Sequence, residues 1–227
     1  MRIIDASGPI YEGMWSYGKP FTDFKLTELY EPDWIDGFHP KQQGFEGFHM
    51  LTGTYMSCPA HGLGLDKSYP AHEVPLEKLF NVDAYVINID LERMGHKGNR
   101  PFITSDDIKK AERVSIPPES PVLFSTGWGT HWGEKDFCSR AWYFTKDAIE
   151  YLIAKKPFIL GGDTPYFDNI EDEEGNWSLL FDNNVIILAP LVNLEKIKSP
   201  KVKLFAAPLK ILNTYGLPCR VIINESE

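Results

Sequence analysis

The apolar residues of this chain fall in short β-rich runs cut apart by turn formers. That pattern limits the fold more than any other feature. Eight runs cover residues 3–6, 48–57, 84–91, 121–126, 157–160, 185–188, 202–206 and 220–223, the second broken by Gly53. The 17 Pro and 18 Gly are spread among them, as many short elements joined by turns require. Two segments read as helices. One begins after Thr104, with Asp107 three residues on as the reciprocal partner of a capping box, and runs to about Val114. The other begins after Thr145 and runs to about Lys155, with Ala148, Ile149, Leu152 and Ile153 at helical spacing. The expectation is an α/β protein dominated by its sheet, and the irregular strand spacing favours mixed pairing over a doubly wound sheet.

At 227 residues, one domain over residues 1–227 is expected, and 43% hydrophobic residues can fill its core. Lys and Arg number 23 against 32 Asp and Glu, a net charge of −9 that argues against nucleic acid as a partner. No run of about 18 apolar residues exists to span a membrane. The first residues lack the apolar stretch of a signal peptide, so a soluble, cytoplasmic protein is expected. Three distant Cys give neither a disulfide framework nor a zinc motif, and no two His share the HExxH spacing. There is no GxGxxG and no Walker motif, so no nucleotide cofactor is expected. Aromatic residues reach 13%, enough for a thick core or an aromatic-lined pocket.

Four stretches together resemble the cyclase family (kynurenine formamidase/isatin hydrolase-like). They are Asp5-Ala-Ser-Gly-Pro-Ile-Tyr-Glu-Gly-Met14; Thr52-Gly-Thr-Tyr-Met-Ser-Cys-Pro-Ala-His61 with Glu73-Val-Pro-Leu-Glu-Lys-Leu79; Leu123-Phe-Ser-Thr-Gly-Trp-Gly-Thr-His-Trp132 with Gly161-Gly-Asp-Thr-Pro165; and Pro190-Leu-Val-Asn-Leu194 with Pro208-Leu-Lys and Gly216-Leu-Pro-Cys-Arg220. The resemblance implies a swivelling β/β/α domain around a central barrel-like mixed sheet, and a homodimer or homotetramer. It also implies a divalent-metal hydrolase. The family motif His-x-Gly-Thr-His-x-Asp-x-Pro-x-His supplies two His and an Asp to the metal, a later His and Glu complete the site, and the motif's last His does acid/base work.

Carried over residue by residue, the resemblance puts Leu51, Tyr55 and Ser57 where the first three ligands stand, and Trp177 and Ala189 where the later two stand. The last His of the motif is kept as His61, and no His follows His131. If residues 51, 55 and 57 share one face of a strand, that face carries isobutyl, phenol and hydroxyl, and His49 lies roughly 7 Å along it. No bound metal and no cofactor are expected.

The candidate catalytic residues are therefore His61 as acid/base, Tyr55 as hydrogen-bond donor to a carbonyl oxygen, and Ser57 as the partner of His61 in a nucleophile–base pair. The blander reading has His61 hydrogen-bonded into the pocket wall and the other two filling vacated volume. Trp15, Tyr17, Trp128, His131 and Trp177 are candidate substrate-binding residues, with plain packing as the alternative for each. Cys58 reads as buried packing, Asp163 as structural, and His39, His72 and His96 as solvated loop residues. Three functions stay open. One is a metal-independent enzyme (hydrolase, lyase or isomerase) acting on a small amide, lactone or enolisable ketone. Another is a silent relative that binds a small metabolite or serves an assembly. The third is a metal-dependent formamidase-type hydrolase.

Overall fold

A computed structural model of the chain describes residues 1–30, 34, 37–92 and 100–225. In chain order the first half forms β1 (Arg2–Asp5), β2 (Lys25–Leu29), β3 (Gln42–Glu46), β4 (Tyr55–Ser57), α1 (Ala60–Leu63), β5 (Phe80–Asn88), β6 (Phe102–Ile103) and α2 (Ser105–Ala111). The second half forms β7 (Val122–Ser125), β8 (Tyr143–Phe144), α3 (Lys146–Ala154), β9 (Ile159–Gly162), α4 (Asn176–Asp182), β10 (Ile186–Ala189), β11 (Lys201–Pro208) and β12 (Gly216–Glu225).

The sheet runs β12-β11-β5-β7-β9-β10-β4, and β4 pairs back to β12, so seven strands close into a barrel. β5, β7, β9 and β10 pair in parallel, while β4, β11 and β12 join antiparallel, which makes the sheet mixed. β1 lies antiparallel on β12 outside the ring. Closure leaves the ring no open edge to protect.

Alternation along the strands divides the apolar side chains between two cores. Met56, Val86, Leu123, Ile186, Leu188, Leu204 and Val221 fill the barrel. The residues between them, such as Ile87, Phe124, Ile187 and Ala189, face outward and pack under Ile108 of α2, Ile149 and Leu152 of α3, and Leu180 and Phe181 of α4. The helices begin where their first backbone N–H groups find acceptors. Asp107 accepts from the Thr104 N–H at 2.9 Å, and its own N–H reaches Thr104 Oγ1 at 3.3 Å, closing the expected capping box.

The structure differs from the sequence reading in several details, among them strands β2, β3, β6 and β8, which the eight runs do not include. The strand expected over residues 48–57 begins at Tyr55. Before it, Thr52 Oγ1 accepts from the His49 N–H and the Thr52 N–H donates to the His49 carbonyl. Gly53 stands at φ +71, so the backbone turns there instead of extending. The helix after Thr104 ends at Ala111, short of Val114. α4 is not among the two helices read from the sequence. It is seven residues long and starts from Gly175 in the left-handed region, with no side-chain cap to mark it.

β2 and β3 pair only with each other, antiparallel from Lys25↔Glu46 to Leu29↔Gln42. Leu26, Leu29, Tyr30 and Phe45 stand exposed on this arm. Among the described residues, no helix is long and apolar enough to cross a membrane.

Candidate active site

The register of β4 decides which side chains meet. Tyr55 lies opposite Ala189, Met56 opposite Leu188, and Ser57 opposite Ile187. Met56 and Leu188 point into the barrel, so Tyr55, Ser57 and Ala189 share the outer face, where α1 and α4 pack together. Leu51 is not on this strand. It sits in the turn before it, where its N–H donates to His49 Nδ1 at 3.3 Å and the His49 ring stacks on Phe21 at 4.4 Å. His49 and Leu51 therefore do not share a strand face with Tyr55 and Ser57; the Gly53 turn sets their positions.

Immediately after β4 the chain turns into α1, and this returns His61 over Ser57. Ser57 Oγ and His61 Nδ1 are 2.9 Å apart. Ser57 is 1% exposed, whereas His61 is an exposed residue, and its ring faces Phe181 at 6.0 Å between ring centres. Partial burial lowers the His61 pKa below the ordinary value of 6.5. The imidazole is neutral at pH 7 and able to take a proton.

Tyr55 meets Tyr17, with the two hydroxyl oxygens 3.1 Å apart, and Tyr17 OH lies 3.5 Å from the Pro165 carbonyl oxygen. Burial pushes both phenol pKa values up, and for Tyr17 the neighbouring Tyr55 adds to the shift. Both phenols keep their protons and act as donors. When Tyr17 donates to Tyr55, the Tyr55 O–H is left for a further acceptor.

The remaining candidates fall into two groups. Trp15 is 5% exposed and packs edge-on against Tyr17 and Trp132, with Phe137 behind it. Trp128 stacks on Phe137 and lies 4.5 Å from the His131 ring, and its indole N–H donates to the Phe137 carbonyl. His131 in turn bonds Glu134 at 2.8 Å. Phe137 joins this cluster to Trp15. Trp177 belongs to α4 and stacks on Phe167 and Phe181, each at 5.9 Å.

Asp163 is fully buried, and both its oxygens are used. Oδ1 accepts from Thr126 Oγ1 and Trp142 Nε1, and Oδ2 from the Thr126 and Gly127 N–H groups, all at 2.9 Å. Cys58 is buried in the barrel, and burial pushes its thiol up to about 12. His39 is exposed, as expected. His72 departs from its reading as a solvated residue: it is half-buried and accepts from the Asn213 N–H at 3.3 Å, because the β11–β12 connection folds over it. His96 lies outside the described residues.

Sequence reasoning missed Tyr166, Arg100 and Phe181. Tyr166 packs edge-on against Tyr17 at 5.5 Å. Arg100, 9% exposed, lies between the Tyr143 and Tyr166 rings. Tyr166 directly follows the quoted Gly161–Pro165 stretch and was open to notice; Arg100 and Phe181 carry no local signal.

The side chains that the resemblance places at ligand positions do not make a donor set for Zn²⁺ or Mn²⁺. Leu51 and Ala189 offer no lone pair, and Trp177 is a stacked indole. Tyr55 and Ser57 are neutral and already hydrogen-bonded to Tyr17 and His61. Among the described residues, no three His, Cys, Asp or Glu side chains gather as a metal site would need.

The cyclase family's sequence model matches residues 4–169. The isatin hydrolase of Roseibium aggregatum is 29% identical over 242 residues, covering 98% of this chain and 91% of that one. The fold is shared with a crystal structure of an isatin hydrolase bound to the product analogue thioisatinate, at a TM-score of 0.81 and 24% identity over 99% of this chain and 92% of that one. It is shared as well with isatin hydrolase A from Labrenzia aggregata bound to benzyl benzoate, at a TM-score of 0.82 and 22% identity over 100% and 94%.

Proposed function

The chain belongs to the cyclase family, and from that premise we propose a metal-independent member that acts on a small carbonyl compound with His61 as acid/base. The observation that carries this reading is the 2.9 Å contact of Ser57 Oγ with His61 Nδ1, on the outer face of β4 that Tyr55 shares. His61 is neutral near pH 7 and takes the proton of the attacking or enolising group. Tyr55, held by Tyr17, donates to the carbonyl oxygen in place of a Lewis acid. Amides, lactones and enolisable ketones all fit this equipment, and hydrolysis is the reaction that the relatives' names favour.

The test uses chelator-treated protein on a panel of small lactones, activated esters and cyclic amides, isatin among them. Turnover is expected with wild type and a fall of about 10²–10⁴-fold with His61→Ala. Equal turnover in that variant overturns the reading.

The burial of Tyr55 (3% exposed) and Ser57 (1%) supports a second reading, a silent family member that binds a small metabolite or serves an assembly. His61-dependent turnover of any panel compound excludes it.

A homodimer or homotetramer in the cytoplasm completes the proposal. The β2–β3 arm, with Leu26, Leu29 and Phe45 exposed on it, is a suitable contact. Phe45→Glu is expected to lower the mass seen by light scattering; an unchanged oligomer would rule the arm out as its contact.

A further inference from the structure

We propose that Ser57 is a covalent nucleophile that carries the acyl group of an activated substrate as an ester before water releases it. This deepens the reading of His61 as acid/base and rests on it.

Three observations carry the inference. The first is what Ser57 bonds to. Three other buried or half-buried hydroxyls donate to backbone carbonyls: Thr54 to Pro190, Thr164 to Trp142, Ser7 to Val221. Those bonds hold the chain together. Ser57 Oγ instead meets an imidazole nitrogen at 2.9 Å, the contact that makes a hydroxyl nucleophilic. The second is the mounting. Ser57 ends β4, and α1 starts at Ala60, so nucleophile and base lie four residues apart on one strand–turn–helix unit. The Cys58 N–H donates to the Tyr215 carbonyl and the His61 N–H to the Cys58 carbonyl, which fixes the turn. The third is the donor. Tyr55 lies two residues before Ser57 on the same face of β4, with its hydroxyl steadied by Tyr17. An oxyanion formed on a carbonyl carbon at Ser57 lies on the side of the strand that presents this phenol.

The chemistry balances with water as the second reactant. Ser57 Oγ bonds to the carbonyl carbon while its proton passes to His61 Nδ1, and the carbonyl π-electrons move to oxygen. As the carbonyl re-forms, the bond to the leaving group breaks and that group takes the proton from His61. Water then gives a proton to His61 and its hydroxide attacks the acyl ester. Ser57 leaves as the alkoxide, recovers the proton, and a carboxylic acid departs.

The same geometry sets the substrate class. No carboxylate among the described residues bonds His61, so nothing extra stabilises the imidazolium. The leaving group must therefore be weakly basic: aryl esters, thioesters and strained lactones fit, and unstrained peptide amides do not.

The test is covalent labelling of the chelator-treated full chain with two small probes, p-nitrophenyl acetate and phenylmethylsulfonyl fluoride, read by intact mass and peptide mapping. The proposal expects one group per chain on the peptide containing Ser57 and a nitrophenolate burst of one equivalent. Labelling is expected to vanish in Ser57→Ala and to slow about 100-fold in His61→Gln. Ser57→Cys guards against misfolding by restoring a nucleophile at the same place, with acetyl transfer from p-nitrophenyl acetate to the new thiol. Wild type without label on Ser57, but with turnover that still depends on His61, overturns the covalent route and leaves the acid/base reading standing. Loss of His61-dependent turnover on every panel compound overturns both.

Discussion

Asp163 and His61 both follow strands of the same barrel, yet their surroundings are opposite. Asp163, just after β9, is fully buried and accepts four hydrogen bonds. A carboxylate has about four acceptor positions, so none is left for a ligand. It ties the Thr126–Gly127 turn to Trp142. His61, just after β4, is an exposed residue whose side chain hydrogen-bonds Ser57. A saturated polar group serves architecture; a half-satisfied one beside a hydroxyl serves chemistry.

The contrast breaks if substitutions fail to separate along it. Asp163→Ala has the largest expected effect. It strips partners from Trp142 Nε1, Thr126 Oγ1 and two backbone N–H groups, and a loss of about 3 kcal/mol or more is expected in urea unfolding. A loss below about 1 kcal/mol would show that the network is not structural. Next comes Tyr55→Phe, which removes the donor from the β4 face. Turnover is expected to fall about 10²-fold, while stability changes by about 1 kcal/mol. A collapse of stability with unchanged turnover would reverse the assignment.

The smallest effects are in pH. The folded pKa of His61 lies below the ordinary 6.5, so turnover is expected to be flat from pH 7 to 8 and to fall only as the pH drops through that lowered value. Stability follows the same sign. His61 and His49 are both lowered on folding by burial, so below about pH 6.5 the unfolded chain binds protons that the folded chain refuses. Unfolding becomes easier across that window, and His61→Gln is expected to flatten part of the slope. A slope that is the same in the variant assigns it to other groups.

How much of this was legible in the sequence follows the same divide. Ser57 and His61 are four residues apart, so one local turn brings them together and the motif showed it. Tyr17 and Tyr55 are 38 residues apart, and only the folded barrel pairs them. The barrel strands announced themselves because their side chains alternate between two apolar cores. The β2–β3 arm did not, since both its faces are largely exposed and leave no periodic burial to read. α4 lacks a capping side chain and is too short for its spacing to stand out. The strand over 48–57 was overdrawn because Gly53 and the His49–Thr52 bonds turn a β-rich run into a loop.

The central claim is that the β4 face works without a metal ion. It is tested most directly by measuring turnover of one panel substrate on chelator-dialysed protein, then after adding stoichiometric Zn²⁺ or Mn²⁺, with metal content measured alongside. The account predicts the same His61-dependent rate at every metal content. A rate that vanishes on dialysis and returns in proportion to bound metal would contradict it.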